Sequence, residues 1–456
     1  MPSLMTVAIT NFGRKAVLVA PLLLIGMHAG VVNAATTLSD LFDVSLDADP
    51  EYQAAVAANL ASQELTPQAR SFLLPNLSAG GAVRHNYADV KRSATGPTGD
   101  ANWGDQAADI SLTQPVYHRD LWIQLEQADL RTKRANAEFA FARQDLMLRV
   151  SERYFDVLRA RDQLAFAKAA LEAFGQQLKQ AQQRFEVGLI AITDVEEAQS
   201  GFDLATADVI AAENDLDNAR EALREVTGLY TTDLASLGDA MPLVRPDPAD
   251  INQWTETALR QNLQIAAARH AAANAKQEIS RIESGHYPTL DLVGRGQFFN
   301  SDGGIGGIAT NNQTVNGQIG LELNVPIYEG GLVVSQTRES RHLYQQSLDE
   351  LEQQRRAVQR QARAAYQNLE SEISRVKALT QAVKSTISAK EAIDAGFQVG
   401  TRTSVDVLNA ERRVFEARRD LAFSRYDYII NRLTLKQAAG TLSEADIELV
   451  NSWLVP

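Results

Sequence analysis

The sequence predicts an α+β membrane protein in which antiparallel hairpins run directly into very long helices, the unit being written twice along the chain. Three observations predict it. First, the run Arg184-Phe185-Glu186-Val187-Gly188, followed by Thr193-Asp194-Val195, returns as Gly396-Phe397-Gln398-Val399-Gly400, followed by Val405-Asp406-Val407. The shared Phe, Val, Gly and Asp are each displaced by 212 positions, 185 to 397 and 194 to 406, and self-similarity at a fixed offset marks a repeated structural unit. Second, two stretches of about 70 residues lack proline. Third, each half carries segments with the two-residue period of a strand.

The elements follow in order. Arg14 and Lys15 precede an apolar stretch from Ala16 to Gly26, and Val32-Asn33-Ala34 offers small residues for cleavage. This is the pattern of a secretory signal peptide, residues 1–34, and the apolar run, interrupted by Pro21, is far short of the ~20 residues a membrane helix needs. The exported chain contains no cysteine. That excludes disulfides, thiol chemistry, Cys-ligated zinc and a lipid anchor on an amino-terminal cysteine. The net charge of -13 becomes -15 once Arg14 and Lys15 are removed, an acidity that argues against nucleic acid as a partner.

Residues 35–228 form the first predicted repeat and 251–440 the second, with a proline-rich linker at 229–250 (Pro242, Pro246, Pro248) and a tail at 441–456. The first hairpin is expected at about 77–116. The second, at about 290–327, has the clearer alternation. Val315, Gly317, Ile319, Leu321, Leu323, Val325 and Ile327 share one face, Asn316, Gln318, Gly320, Glu322 and Asn324 the other. Such a length with one apolar and one polar side suits a tilted bilayer crossing; a half-buried strand of a soluble sandwich would alternate similarly. Asn300 to Thr314, including the run Gly303-Gly304-Ile305-Gly306-Gly307, is expected to be a mobile tip rather than a phosphate cradle, since no helix follows it.

Long helices are predicted at about 118–187 and 331–399, each near 100 Å at 1.5 Å per residue. Val150, Val157, Leu164, Leu171, Leu178 and Phe185 recur every seventh residue, with Ala160, Ala167, Phe174 and Ala181 three further on, a heptad seam. In the second half, Leu369, Val376, Val383 and Phe397 form the seam, with Lys390 as a polar interruption. Gly188 and Gly400 are expected to cap these helices in the left-handed conformation, and return helices follow at about 193–227 and 404–439. The last carries two adjacent seams, as a helix with neighbours on both sides requires. Pro75, Pro115, Pro288 and Pro326 mark the expected helix–strand junctions, because proline removes a backbone donor and disfavours helix in the residue before it.

Four strands cannot close a barrel, and an open strand edge in lipid leaves backbone groups unsatisfied. The chain is therefore expected to oligomerise. The residues Val399-Gly400-Thr401-Arg402-Thr403-Ser404-Val405-Asp406-Val407-Leu408, with their counterpart Val187-Gly188-Leu189-Ile190-Ala191-Ile192-Thr193-Asp194-Val195, resemble the TolC-like outer-membrane efflux proteins of Gram-negative bacteria, a resemblance that covers essentially all of the mature chain. It implies a homotrimer in which a twelve-stranded transmembrane β-barrel, embedded in outer-membrane lipid, continues into a periplasmic α-helical coiled-coil barrel. It also implies a passive exit channel for efflux or type I secretion, without cofactor, working with a periplasmic adaptor (membrane fusion) protein and an inner-membrane RND or ABC transporter.

Carried over position by position, the resemblance implies a gate ring at Asp406, with Asn409 standing where the family has a second aspartate. It implies a latch joining Arg402 to Thr193 and Asp194; the family's tyrosine in that latch is Phe397 here, which loses a hydroxyl bond. The reversal turns Gly188-Leu189 and Gly400-Thr401 would meet the adaptor. Each acid also has a plainer role, since Thr193 with Glu196 and Thr403 with Asp406 have capping-box spacing. The six histidines, at 28, 85, 118, 270, 286 and 342, show no metal-ligand spacing and no nucleophile motif accompanies them, so catalysis is not expected. The alternative reading, a soluble periplasmic coiled-coil adaptor, shares the signal peptide and heptads but has no use for hairpins with a lipid-compatible face.

Overall fold

A computed structural model describes residues 35–91, 98–238, 241–305, 308–309 and 311–455. The expected signal peptide lies outside these residues, as do Arg92 to Pro97 of the first hairpin's loop and Gly306 and Gly307 of the second's. Three short helices open the fold, α1 (Leu38–Ala48), α2 (Pro50–Gln63) and α3 (Leu65–Ser71), leading into strands β1 (Asn76–Val90) and β2 (Gly99–Tyr117). Then come α4 (Arg119–Glu186), α5 (Ile192–Thr227), β3 (Ser236–Leu237), α6 (Ile251–Gln261) and α7 (Leu263–Glu283). The chain continues through β4 (Thr289–Ile305), β5 (Ile308–Ala309), β6 (Asn312–Asn324), α8 (Leu332–Gln398), α9 (Ser404–Ala439), α10 (Glu444–Asn451) and β7 (Leu454–Val455).

The long strands pair antiparallel in the order β1-β2-β4-β6. Both hairpins run further than the alternation suggests. β2 starts already at Gly99 and offers its backbone to β4, pairing Ala101 with Ile305, so part of the expected glycine-rich tip is strand. At the other end β6 stops at Asn324, although the apolar alternation continues to Ile327. Pro326 explains the difference: it has no N–H to give a ladder and restricts Val325 before it. Pro75 and Pro288 immediately precede strands, whereas Pro115 lies inside β2 opposite Asp291, and the register slips between it and Tyr117.

Cross-strand pairing fixes two faces. Leu77 stands opposite Leu112, Leu292 opposite Leu321 and Leu290 opposite Leu323; on the other face Arg84 meets Asp105, and Asp291 meets Glu322. Among the described residues nothing covers the apolar side, where Val315 is 77% and Ile319 76% exposed. No described helix is long and apolar enough to cross a membrane.

Because α3 leads into β1, β2 into α4, α7 into β4 and β6 into α8, the helices beside the sheet stand in the same order as the strands. α3 packs on α4, α4 on α7, and α7 on α8. His118, the N-cap residue of α4, ties the hairpins together there, its Nε2 lying 3.1 Å from both carboxylate oxygens of Asp291 on β4. Farther from the sheet the order becomes α5-α4-α9-α8, so α9 has a neighbour on each side, as its two seams require.

The main core sits halfway along these rods. Tyr154, Phe155 and Leu158 of α4 pack with Leu369 of α8, Tyr428 and Ile429 of α9, Leu38 and Leu41 of α1 and Ile447 of α10, all at most 2% exposed. Each such side chain contributes about 1.5–3 kcal/mol. A belt surrounds them: β3 pairs with β7, Leu234 bridges Thr36, and the Tyr154 hydroxyl donates to the Ala235 carbonyl at 2.7 Å. Burial drives the Tyr154 hydroxyl pKa well above its ordinary value, so it remains a donor. Toward the reversal end the buried side chains become mostly small, Ala167 and Ala181 of α4, Ala198, Ala205 and Ala212 of α5 and Ala410 and Ala417 of α9, with Phe174, Val209, Val407, Leu408 and Val414 among them.

Four helix ends rely on left-handed glycine, with φ between +68° and +77° at Gly188, Gly228, Gly400 and Gly440. Their surroundings differ. A Cβ at Gly188 would meet nothing within 4 Å, whereas at Gly440 it would sit 2.5 Å from the Gln261 carbonyl oxygen. Gly188→Ala is accordingly expected to cost about 1–2 kcal/mol of backbone strain, and Gly440→Ala about 2–5 kcal/mol once overpacking is added. Thermal melting of the purified chain in detergent checks the ranking, which equal losses would contradict.

Candidate functional site at the helix reversals

Both long helices end in the same local geometry. Gly188 N–H donates to the Phe185 carbonyl at 2.8 Å and Leu189 N–H to Arg184 at 2.9 Å; Gly400 donates to Phe397 at 3.1 Å and Thr401 to Gly396 at 2.9 Å. This pair of bonds satisfies carbonyls that a helix end leaves open, and the left-handed glycine turns the chain back. Both turns expose apolar side chains, Val187, Leu189 and Val399 each being 69–75% exposed, and the second adds the exposed polar Thr401 and Arg402.

The return helices begin in register but are capped differently. In α9 the N-cap is Thr403, whose Oγ1 accepts from the Asp406 N–H at 3.2 Å while the Asp406 carboxylate accepts from the Thr403 N–H at 3.0 Å, a complete capping box. In α5 the N-cap is Ala191, with no side-chain cap. The expected box of Thr193 and Glu196 therefore does not form: α5 starts at Ile192, which places Thr193 inside the first turn. Asp194 still occupies the third helical position, like Asp406, where the helix dipole favours a negative charge.

The Asp406 carboxyl is held below its ordinary pKa, chiefly by the Thr403 N–H, then by the Thr403 hydroxyl and the nearby Arg402 charge. Asn409, one turn on, is exposed. The expected latch partners are not brought together within one chain. Arg402 is exposed and forms no ion pair among the described residues; its Cγ instead lies where a Cβ on Gly396 would be, 2.8 Å away. Phe397 does not stand unpartnered, because the Arg184 guanidinium lies over its ring, 4.5 Å from the centroid. Lys390 proves to be a cross-helix pin rather than a mere interruption, with Nζ 3.0 Å from Glu411 of α9 and 3.1 Å from Asp394. Sequence reasoning missed the Arg184 and Glu411 contacts. The one signal for the former was that Arg184 and its counterpart Gly396 differ most within an otherwise matching motif.

With this geometry in view, the comparisons with known proteins are decisive. The profile of the outer membrane efflux protein family matches residues 41–229 and again 254–441. The chain belongs to that family. The outer membrane protein TolC of Vibrio cholerae serotype O1 is 39% identical over 422 residues, 92% of this chain and 94% of that protein. The alkaline protease secretion protein AprF of Pseudomonas aeruginosa is 29% identical over 418 residues, 91% and 86% of the two chains. The crystal structure of the Campylobacter jejuni CmeC outer membrane channel shares the fold with a TM-score of 0.75 at 15% identity, covering 91% of this chain and 89% of that one. A family of outer-membrane channel proteins leaves no support for the soluble adaptor, and it puts this chain in the outer membrane.

The capping difference is testable. Thr403→Ala is expected to cost about 1 kcal/mol of local stability at the start of α9, and Ala191→Thr to protect the start of α5. Since the Asp406 pKa is lowered on folding, its contribution is present above the ordinary value of 3.8 and is lost as pH falls through the folded value. Amide protection in residues 404–408 should therefore fall under acid in the parent chain, and by less in Thr403→Ala, which keeps the backbone N–H but loses the hydroxyl that also holds the carboxylate.

Proposed function

We propose that this efflux-family protein is the outer-membrane exit duct of tripartite efflux and type I protein secretion systems, a passive channel and not an enzyme. Three copies would join edge to edge. The single observation that carries this is the matched order of strands and helices, which leaves β1 with α3 at one border and β6 with α8 at the other. Copies related by a rotation axis would unite both borders at once, giving a twelve-stranded barrel in lipid and a helical wall in the periplasm. The two-fold match of the family profile supports reading 35–228 and 251–440 as repeats, joined by the 229–250 linker and followed by the 441–456 tail.

In this assembly the reversal end is the periplasmic mouth. Asp406 would converge on the axis with its two copies, with Asn409 above it, and Arg402 would reach Thr193 and Asp194 of an adjoining copy. Phe397 would contribute its ring rather than a hydroxyl. Gly188, Leu189, Gly400 and Thr401 form the exposed turns suited to an adaptor, which would couple the duct to an inner-membrane RND or ABC transporter. Pro75, Pro115, Pro288 and Pro326 would keep the long helices from propagating into the barrel. The family, described as outer membrane efflux proteins, and the similarity to the alkaline protease secretion protein AprF support efflux and protein secretion as the transport roles.

Chemical crosslinking in outer-membrane fractions is expected to give trimers, and the purified protein to form channels in planar bilayers that a trivalent cation blocks. Asp406→Ala should abolish that block; unchanged block would remove Asp406 from the pore. Arg402→Ala should raise closed-state conductance, and no change would place the latch elsewhere.

A further inference from the structure

We propose that Arg184 is a positioning residue that clasps the two helical hairpins of one chain at their reversal end through the face of Phe397, an inference that rests on the duct reading above. The hairpins α4–α5 and α8–α9 meet mainly along α4 and α9, and their contacts change in kind toward the reversals. Nearest the core they are strong and polar: Arg159 lies 2.5 Å from Asp427 and the Tyr426 hydroxyl donates to Asp162 at 2.5 Å. Midway, Phe174, Ala205 and Leu408 form a small apolar cluster, with the Arg412 guanidinium 5.7 Å from the Phe174 ring centroid. At the end itself, no hydrogen bond or ion pair among the described residues joins 184–197 to 396–406. The Arg184 guanidinium over Phe397 spans them there.

The clasp is built from a break in the internal symmetry. Arg184 corresponds to Gly396, 212 positions on. Gly396 cannot be replaced by its counterpart without disturbance, because even a Cβ there would lie 2.8 Å from the Arg402 side chain. The cation is therefore presented from α4 and the ring from α8, never the reverse. A guanidinium over a ring face holds over a range of angles and is modest in strength when half-exposed, so it tolerates small motions of the hairpins and yields to larger ones. Arg184 also stands in the last turn of α4, where a cation favours the helix dipole whatever lies opposite. A test must separate these two roles.

Planar-bilayer recordings on the full chain do so, using Arg184→Gln, Phe397→Leu, the double variant and Phe397→Tyr. Each of the first two is expected to shift the closed-to-open balance toward open by roughly twofold to fivefold, the worth of a half-exposed cation–π contact. The double variant should exceed neither single one, and Phe397→Tyr, which keeps the ring face and adds the hydroxyl of the proposed latch, should open no more than the parent. An effect of Arg184→Gln without one of Phe397→Leu, or additive effects in the double variant, would overturn the clasp and leave Arg184 a helix-end charge. A parent protein that forms no channel would sink the duct reading instead. The clasp would then be decided by amide exchange at residues 396–403, faster in both single variants if it exists and unchanged if it does not.

Discussion

The organisation of this protein turns on the borders of its sheet. Backbone N–H and C=O groups that face hydrocarbon without partners cost several kcal/mol each, and β1 and β6 present such groups along 15 and 13 residues. No loop of the described chain folds over either border, and no helix covers the apolar face. A soluble sandwich would hide that face against a second layer; here the exposed Leu, Ile and Val residues need a lipid environment instead. The helices inherit the arrangement, because each strand passes into a helix at a fixed place in the row.

Away from the membrane the chain solves a different problem, how to hold rods of 68 and 67 residues side by side in water. It concentrates large buried side chains at mid-length and binds them with segments from both termini. Beyond that belt the buried seam is alanine-rich, and single polar or cationic contacts, such as Lys390 with Glu411 and Arg184 with Phe397, take over. Small side chains let helices approach closely but contribute less on burial than large ones. The reversal end is thus the weaker end of the same bundle, a property that the gate proposed there would need.

Much of this was legible in the sequence because it is local. Val-Gly at 187–188 and 399–400 announces a capped helix and a reversal, proline near each strand announces a boundary, and a period of two in Val315 to Leu323 announces a face. What escaped was non-local or degenerate. The belt joins Thr36, Leu234 and Leu454, residues hundreds of positions apart with no shared period. The capping-box spacing of Thr193 and Glu196 also arises by chance inside a helix, and the helix start at Ile192 decided against it. The Arg184–Phe397 contact depends on side-chain reach between separate helices, which no spacing rule encodes. Resemblance to the family supplied the gate residues, yet within a single chain Arg402 and Asp194 remain apart.

The placement of the core has a mechanical corollary. From Leu158, at the edge of that core, to Glu186 at the end of α4, 28 residues of helix make an arm of about 42 Å. A tilt of roughly five degrees where the arm leaves the belt would carry its far end through about 4 Å, more than a hydrogen bond's length. Leverage of this kind lets a small adjustment among tightly packed tyrosines and leucines become a wide displacement at the reversal end.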